Sequence, residues 1–197
     1  MIGAFSGCLA ICLSISGLIG FALAALILAG LADLFDGYIA RKLDMGAFER
    51  DFGVQLDTVV DVLSFVAAPA VIGVVATGAD PMVMASAVIF MIAGLVRLAH
   101  FNTAAVSEDA VKNSHSGLPV TYAALVLPLA FIAMEFLSGQ LFRMALGAVF
   151  LLLAALFVVP ITVPKPRGVF YAIFPVLAIC LIGFWIDHQM QFYESLK

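Results

Sequence analysis

The chain has 197 residues, of which 64% are hydrophobic and 11% charged, and its mean hydropathy is +1.18. Soluble domains do not need so much apolar surface, whereas runs of about twenty apolar residues match the hydrocarbon thickness of a bilayer. The composition therefore indicates an integral membrane protein with little mass outside the membrane. Its net charge of −4 gives no indication of a nucleic-acid partner.

Apolar segments follow one another along the whole chain, separated by turns rich in glycine, proline and serine. They cover about residues 1–17, 19–43, 54–77, 82–104, 118–138, 141–160 and 168–187. The runs are continuous rather than alternating, so we expect helices, which satisfy their own backbone hydrogen bonds in lipid. The sequence predicts an all-α fold, a polytopic transmembrane bundle of six to seven helices. We expect a single membrane-embedded domain over residues 1–197, with a core of about 1–165 and an additional C-terminal helix.

Basic residues are distributed unequally between the two sides of this predicted bundle. If the connection at 41–53 faces the cytoplasm, only Arg143 and Lys197 of the nine basic residues lie on the opposite side. Loops of multi-pass proteins that stay in the cytoplasm carry an excess of lysine and arginine. We therefore predict a cytoplasmic-membrane protein whose 41–53 connection faces the cytoplasm.

Acidic residues concentrate where the second segment ends and the third begins. Asp33 and Asp36 lie on the second segment, and Asp57 and Asp61 lie on the third. Steps of three and four residues keep side chains on one helix face, and a short connection makes the two segments antiparallel neighbours. One such aspartate could be a solvated residue at the membrane edge or the partner of a nearby arginine. Four of them on two facing stripes inside apolar runs indicate a functional site.

These four carboxylates would repel one another in a medium of low dielectric unless cations neutralised them. An all-oxygen cluster suits Mg²⁺ or Mn²⁺ rather than zinc. Small residues on the same faces either allow close helix packing or leave room for a bulky ligand. These small residues are Gly37, Ala40 and Gly53, and Arg41 follows them where a phosphate could be bound.

Two stretches resemble the signature of the CDP-alcohol phosphatidyltransferases: residues 33–41, Asp-x-x-Asp-Gly-x-x-Ala-Arg, and residues 53–61, Gly-x-x-x-Asp-x-x-x-Asp. In that family an alcohol attacks the lipid-linked phosphate of a CDP-activated donor, and CMP leaves. The resemblance implies a site for two divalent cations, a general base at Asp61, and a homodimer formed through membrane helices. It assigns the cations to Asp33, Asp36, Asp57 and Asp61, and the border of the CDP moiety to Gly37, Ala40, Arg41 and Gly53.

Further stretches at 56–72, 94–102 and 116–124 resemble the phosphatidylserine synthase branch of that family. The likeness covers about residues 5–165 and implies L-serine as acceptor, with CDP-diacylglycerol or an ether analogue as donor. Serine carries a carboxylate and an ammonium group, so its pocket needs a cation and some acceptors. The candidates are Arg97, Asn102, Lys112 and His115.

Two alternatives stay open at this point. Another branch of the family would use glycerol 3-phosphate or an inositol phosphate, which calls for more basic residues near the acidic cluster. A cation or proton transporter could also carry intramembrane aspartates. One departure from the family pattern is the connection at 42–52, which is longer than the eight or so residues usual there and which we expect to bulge into the cytoplasm.

Overall fold

A computed structural model describes residues 1–40, 46–106, 117–161 and 170–195, without the side chains of 36–40, 47, 104–106 and 170–172. The described residues form helices and no strand, which confirms the predicted all-α bundle. The helices are α1 (Ile2–Ile15), α2 (Ile19–Ala40), α3 (Ala47–Asp61), α4 (Ala68–Ala76), α5 (Pro81–Val106), α6 (Ala123–Ala133), α7 (Gly139–Val158) and α8 (Phe170–Ser195). A π-helical segment, Val62–Ala67, joins α3 to α4, and a 3₁₀ turn, Val120–Tyr122, precedes α6.

Four helical runs within the described residues are long and apolar enough to cross a membrane. They are Phe48–Ala76, which includes the π-helical segment, and Pro81–Thr103, Gly139–Val158 and Ile173–Ser195. Shorter apolar helical stretches are Ile2–Ile15, Ile19–Phe35 and Val120–Ala133. Each predicted apolar segment therefore corresponds to one helical run.

Helix α2 lies at the centre of the bundle, between α1, α6 and α8, while α5 packs along α7. Ala22, Leu23 and Leu26 of α2 are fully buried. Small residues let the neighbours of α2 approach closely, as membrane helices require. At Gly30, for example, an added Cβ would lie 2.9 Å from Cβ of Ala124 on α6. This packing fixes the part of α2 that immediately precedes Asp33.

The second half of the 42–52 connection is helical, so the third helix begins earlier than the apolar run at about residue 54 predicted. Helix α3 begins at Ala47, so residues up to 52 form its first turns. Glu49 explains this early start, because its Oε2 accepts the N–H of Gly46 at 2.6 Å and so satisfies one donor at the helix N-terminus. Phe48 and Phe52 also stack along the helix, with ring centroids 6.3 Å apart. Residues 41–45 lie outside the described part of the chain.

Helix α8 continues to Ser195, beyond the end of the apolar run at about residue 187. Polar contacts with other helices accompany this extension. Gln189 is buried, and its Oε1 accepts the N–H of Gly20 at the start of α2 at 2.8 Å. His188 Nε2 lies 3.0 Å from Glu135 Oε1, just beyond the end of α6. The C-terminal helix is therefore joined to α2 and to the end of α6 by side-chain contacts.

Candidate active site

Three of the four predicted metal ligands meet between α2 and α3. Asp33 comes from α2, and Asp57 and Asp61 come from α3, one helical turn apart. One carboxylate oxygen from each residue can be chosen so that all three lie within 4.8 Å of one another. The predicted antiparallel arrangement of two acidic faces therefore agrees with the geometry of the described residues.

The carboxylate cluster lies partly inside the protein. Asp57 is exposed, whereas Asp33 and Asp61 are half-buried. Oδ1 of Asp61 is buried and accepts no hydrogen bond from the described part of the chain. Like charges at this separation disfavour one another strongly when solvent is partly excluded. A hard divalent cation, bound by several oxygen ligands, would offset that repulsion and use the free lone pairs of Asp61. The residues present therefore fit such an ion.

The residues predicted to border a nucleotide are only partly described. Asp36, Gly37 and Ala40 belong to the last turns of α2, but their side-chain surroundings are not described, and Arg41 lies outside the described residues. Gly53 lies in α3, one turn before Asp57, and a Cβ added there would meet no described atom within 4 Å. Close helix packing therefore does not account for this glycine in the described residues, and the open space fits a bulky ligand.

The candidates for acceptor binding differ in what surrounds them. Arg97 on α5 donates from Nη2 to the carbonyl oxygen of Gly117 at 3.4 Å, and its guanidinium carbon lies 5.5 Å from the ring centroid of Phe101. Its Nε is buried and has no hydrogen-bond partner among the residues described. Lys112 and His115 lie outside the described ranges.

Asn102 contacts α3, the helix that carries Asp57 and Asp61, directly. Its Nδ2 donates to Thr58 Oγ1 at 2.8 Å, and Thr58 follows Asp57 in α3. The hydroxyl of Thr58 in turn donates to the carbonyl oxygen of Val54, one turn earlier, at 3.0 Å. The sequence analysis singled out Asn102 but missed Thr58, because nothing in the spacing shows that α5 ends against this turn of α3.

Gly117 begins the segment that leads into α6, and its backbone explains why glycine is needed there. It has φ +84, and an added Cβ would collide with the carbonyl oxygen of Phe157. Its N–H donates to the oxygen of Ile161 at 3.2 Å, and that of Leu118 donates to Leu156 at 2.9 Å. These bonds hold the carbonyl of Gly117 beside Arg97. The resemblance over residues 116–124 included this position but did not indicate its contacts.

An apolar cleft of about 150 Å³ lies beside Asp33, one member of the carboxylate cluster. Helices α2, α6 and α8 form its walls, and Asp33 is one of its lining residues. Its other lining residues include Ile27, Leu31, Tyr122, Phe174 and Ala178. A ligand whose polar part binds at Asp33 could therefore place an apolar part in this cleft.

Comparison with known proteins identifies the class to which this fold and cluster belong. Residues 1–160 match the model of the CDP-alcohol phosphatidyltransferase family. The chain belongs to this family, whose members are enzymes that depend on divalent cations. Helix α8 lies beyond the matched region.

Proteins similar to this chain occur in both archaea and bacteria. The archaetidylserine synthase of Methanothermobacter thermautotrophicus is 33% identical over 170 residues, which cover 85% of this chain and 67% of that protein. A CDP-diacylglycerol–serine O-phosphatidyltransferase of Methanocaldococcus jannaschii is 33% identical over 157 residues, or 79% of this chain and 70% of that protein. The enzyme with the same name from Helicobacter pylori strain J99 is 33% identical over 134 residues, or 66% of this chain and 53% of its own length.

Proposed function

We propose that this protein transfers the phosphatidyl group of CDP-diacylglycerol, or of an ether analogue, to the hydroxyl of L-serine and releases CMP. The observation that carries the proposal is the convergence of Asp33, Asp57 and Asp61 between α2 and α3. The names of the similar proteins support serine as the acceptor and a CDP-activated lipid as the donor.

Two divalent cations, Mg²⁺ or Mn²⁺, would be held by Asp33, Asp36, Asp57 and Asp61. Bound there, they supply positive charge that offsets the diphosphate of the donor and stabilises the charge developing on CMP. Helices α2 and α3 hold the oxygens of the three described carboxylates close enough together to bind the same cation. Packing of α2 against α6 at Gly30 keeps Asp33 in place while the substrates exchange.

Asp61 acts as the general base. The serine hydroxyl oxygen attacks the phosphorus that carries the diacylglycerol, and Asp61 accepts the hydroxyl proton. The new phosphorus–oxygen bond replaces the bond to the CMP phosphate, and CMP leaves with that electron pair. Oδ1 of Asp61, which is buried and accepts no hydrogen bond from the described residues, is available as an acceptor. Help from a general base is typically worth ~10²–10⁴-fold in rate.

The donor occupies two environments in this proposal. Its CDP moiety lies along the last turn of α2 and over Gly53, bordered by Gly37, Ala40 and Arg41. The open space at Gly53 supports this placement. Part of its apolar tail enters the cleft beside Asp33, whose walls are apolar.

The acceptor lies on the α5 side of the cluster. Arg97 binds the serine carboxylate, since its Nε is buried and lacks a hydrogen-bond partner in the described part of the chain. Planar guanidinium groups suit carboxylates because they can donate two parallel hydrogen bonds. Asn102, Lys112 and His115 remain candidates for the rest of the pocket, with Asn102 already bonded to Thr58 beside Asp57.

The purified protein in detergent or in vesicles provides the test. CMP release from CDP-diacylglycerol should require both L-serine and Mg²⁺ or Mn²⁺, and removal of the cations with EDTA should abolish it. Glycerol 3-phosphate and inositol phosphate, tested in parallel, should give little CMP. Release with either of them but not with serine would overturn the assignment of the acceptor.

The same preparation addresses the remaining expectations. In sealed vesicles, absence of cation or proton uptake alongside CMP release argues against a transporter.

We also propose a homodimer in the cytoplasmic membrane with the carboxylates on the cytoplasmic side. Mass measurement in detergent tests the dimer, and labelling of a cysteine introduced at Arg50 in right-side-out and inverted vesicles tests the orientation. Labelling of this cysteine by an impermeant reagent in right-side-out vesicles alone would contradict the proposed orientation.

A further inference from the structure

Helix α1 contacts both helices that carry the aspartates. At Gly3, an added Cβ would lie 3.6 Å from Cγ1 of Val60 on α3. On the other side it would lie 3.8 Å from the carbonyl oxygen of Ala29 and 3.9 Å from Cβ of Ala32 on α2. Val60 precedes Asp61 and Ala32 precedes Asp33, so α1 lies against α2 and α3 at the level of the cluster.

One helical turn further along, Gly7 lies closest to Ser64 of the neighbouring run. The three described atoms nearest to an added Cβ all belong to Ser64: its Oγ, which would collide, and its Cα and Cβ, both at 3.0 Å. Because one of these atoms is backbone, rotation of the Ser64 side chain cannot relieve the contact completely. Gly7 therefore allows α1 to approach the backbone at Ser64 more closely than any other residue would.

Ser64 lies in the π-helical segment that begins directly after Asp61. Its side chain is fully buried, and its Oγ donates to the carbonyl oxygen of Gly3 at 3.3 Å. The contact is therefore reciprocal: a glycine on α1 accommodates Ser64, and the Ser64 hydroxyl bonds to α1 one turn away. π-Helical turns are rare and occur mostly as short interruptions of α-helices, frequently at functional sites. The position of the backbone just after Asp61 thus depends on α1.

We propose that the contact of Gly7 with Ser64 sets the separation of α2 and α3, and with it the distance from Asp33 to Asp57 and Asp61. The two residues position the ligands; neither is catalytic in the sense of touching substrate. The inference rests on the divalent-cation site proposed above. A side chain added at Gly7 would push Ser64 away from α1 and so displace α3 relative to α2. The aspartates would then bind the cation less well.

The test replaces Gly7 with alanine and measures the Mg²⁺ concentration that gives half-maximal CMP release. We expect this concentration to rise about tenfold or more, in the range usual for residues that orient metal ligands. The donor KM at saturating Mg²⁺ should stay near that of the unchanged protein. Gly183→Ala in α8 is the matched control, because an added Cβ there meets no described atom within 4 Å, and its Mg²⁺ requirement should not change.

A second substitution separates positioning from general damage. In the double variant Gly7→Ala with Ser64→Ala, the colliding hydroxyl is gone, so part of the Mg²⁺ affinity should return. If Gly7→Ala lowers the melting temperature but leaves the half-saturating Mg²⁺ concentration unchanged, the contact is merely structural and the proposal is overturned. The same holds if neither quantity changes, or if the double variant recovers nothing.

A further variant covers the case in which Gly7→Ala does not fold. In Gly3→Val, the Cβ has ordinary contact distances to its neighbours, so the variant should fold. The two methyl groups of the valine then lie between α1 and its neighbours α2 and α3. Its Mg²⁺ requirement should also rise, and an unchanged requirement would overturn the proposal. Failure of the proposed function gives a different result, because the unchanged protein would then release no CMP with L-serine at any Mg²⁺ concentration.

Discussion

The helical run that carries Asp57 and Asp61 has two halves with opposite surroundings. In α3, Val54 and Val59 are 50% and 64% exposed, and Asp57 is exposed as well. From the π-helical segment onwards, Phe65 and Val66 are each 1% exposed. The packed half fixes the position of the run within the bundle. The open half then presents its carboxylates and the space beside them to ligands.

Glycines in and around this run show the same contrast. Gly53 lies in the open half and has no described atom within 4 Å of an added Cβ. Gly94 of α5 faces the packed half, where an added Cβ would lie 2.8 Å from Cγ2 of Val66. Gly53 leaves open space beside α3 that a ligand could occupy, whereas Gly94 allows α5 to approach Val66 closely. The residue type is the same, but substitutions at the two positions should affect different measurements.

The largest effect is expected from the carboxylate in the middle of this run. Asp61→Asn should lower the rate of CMP release by about 10²–10⁴-fold because it removes the general base and a metal ligand. Fluorescence melting in detergent should show that the variant stays folded. Asp187→Asn in α8, whose carboxylate accepts a hydrogen bond from Gln191, is the control and should keep full activity. An Asp61→Asn protein with more than a tenth of the original rate would contradict the assignment.

A bulky residue in the open half should affect donor binding and leave stability unchanged. Gly53→Leu fills space in which no described atom lies within 4 Å, so the folded protein should tolerate it. We expect the KM for CDP-diacylglycerol to rise at least about tenfold, which corresponds to ~1.4 kcal/mol of lost binding. Gly183→Leu provides the matched change on α8. If Gly53→Leu instead lowers the melting temperature and spares KM, Gly53 is a packing residue and the two halves do not differ as argued.

A methyl group added in the packed half should instead lower stability and leave the donor KM unchanged. An added Cβ at Gly73, in α4, would lie 2.5 Å from the ring of Phe150 on α7. Gly73→Ala should therefore destabilise the protein by about 1–3 kcal/mol, the usual cost of overpacking, with little change in KM of the folded fraction. Gly147→Ala, whose Cβ would have an ordinary contact of 3.4 Å with Ser86 Oγ, should cost much less. Equal melting temperatures for the two variants would contradict this interpretation.

The smallest effect concerns the contact between the open half and α5. Thr58→Val removes the hydroxyl that accepts the hydrogen bond of Asn102, which should cost about 0.5–1.5 kcal/mol of stability. Thr103→Val removes an exposed hydroxyl whose hydrogen bond within the described residues is to Ala99 of its own helix, and it serves as the control. Comparing the serine KM of Thr58→Val and Asn102→Ala then separates two roles. A rise in serine KM in Asn102→Ala alone indicates that Asn102 binds the acceptor, and an equal rise in both indicates that it acts through Thr58.

Periodicity predicted most of the fold because apolar run length decides where membrane helices lie. It did not predict the π-helical segment at Val62–Ala67, nor the bond from Ser64 in this segment to Gly3 of α1, which is distant in sequence. It also missed the start of α3 at Ala47, where local capping by Glu49 extends a helix through polar residues. For the site, the spacing of the aspartates was sufficient to predict that Asp33 lies close to Asp57 and Asp61. The neighbours of Arg97 and Asn102 required the packing of α5 against other segments.

The hydrogen bond between Gln189 and Gly20 has a practical consequence for anyone who shortens this protein. Gly20 lies at the first turn of α2, where backbone N–H groups have no partner within the helix, and the Gln189 side chain supplies one. A fragment cut to the family-matched region, residues 1–160, would lose α8 and with it this acceptor. The start of the central helix would then lose the acceptor for this N–H, so expression trials should retain the chain through Ser195.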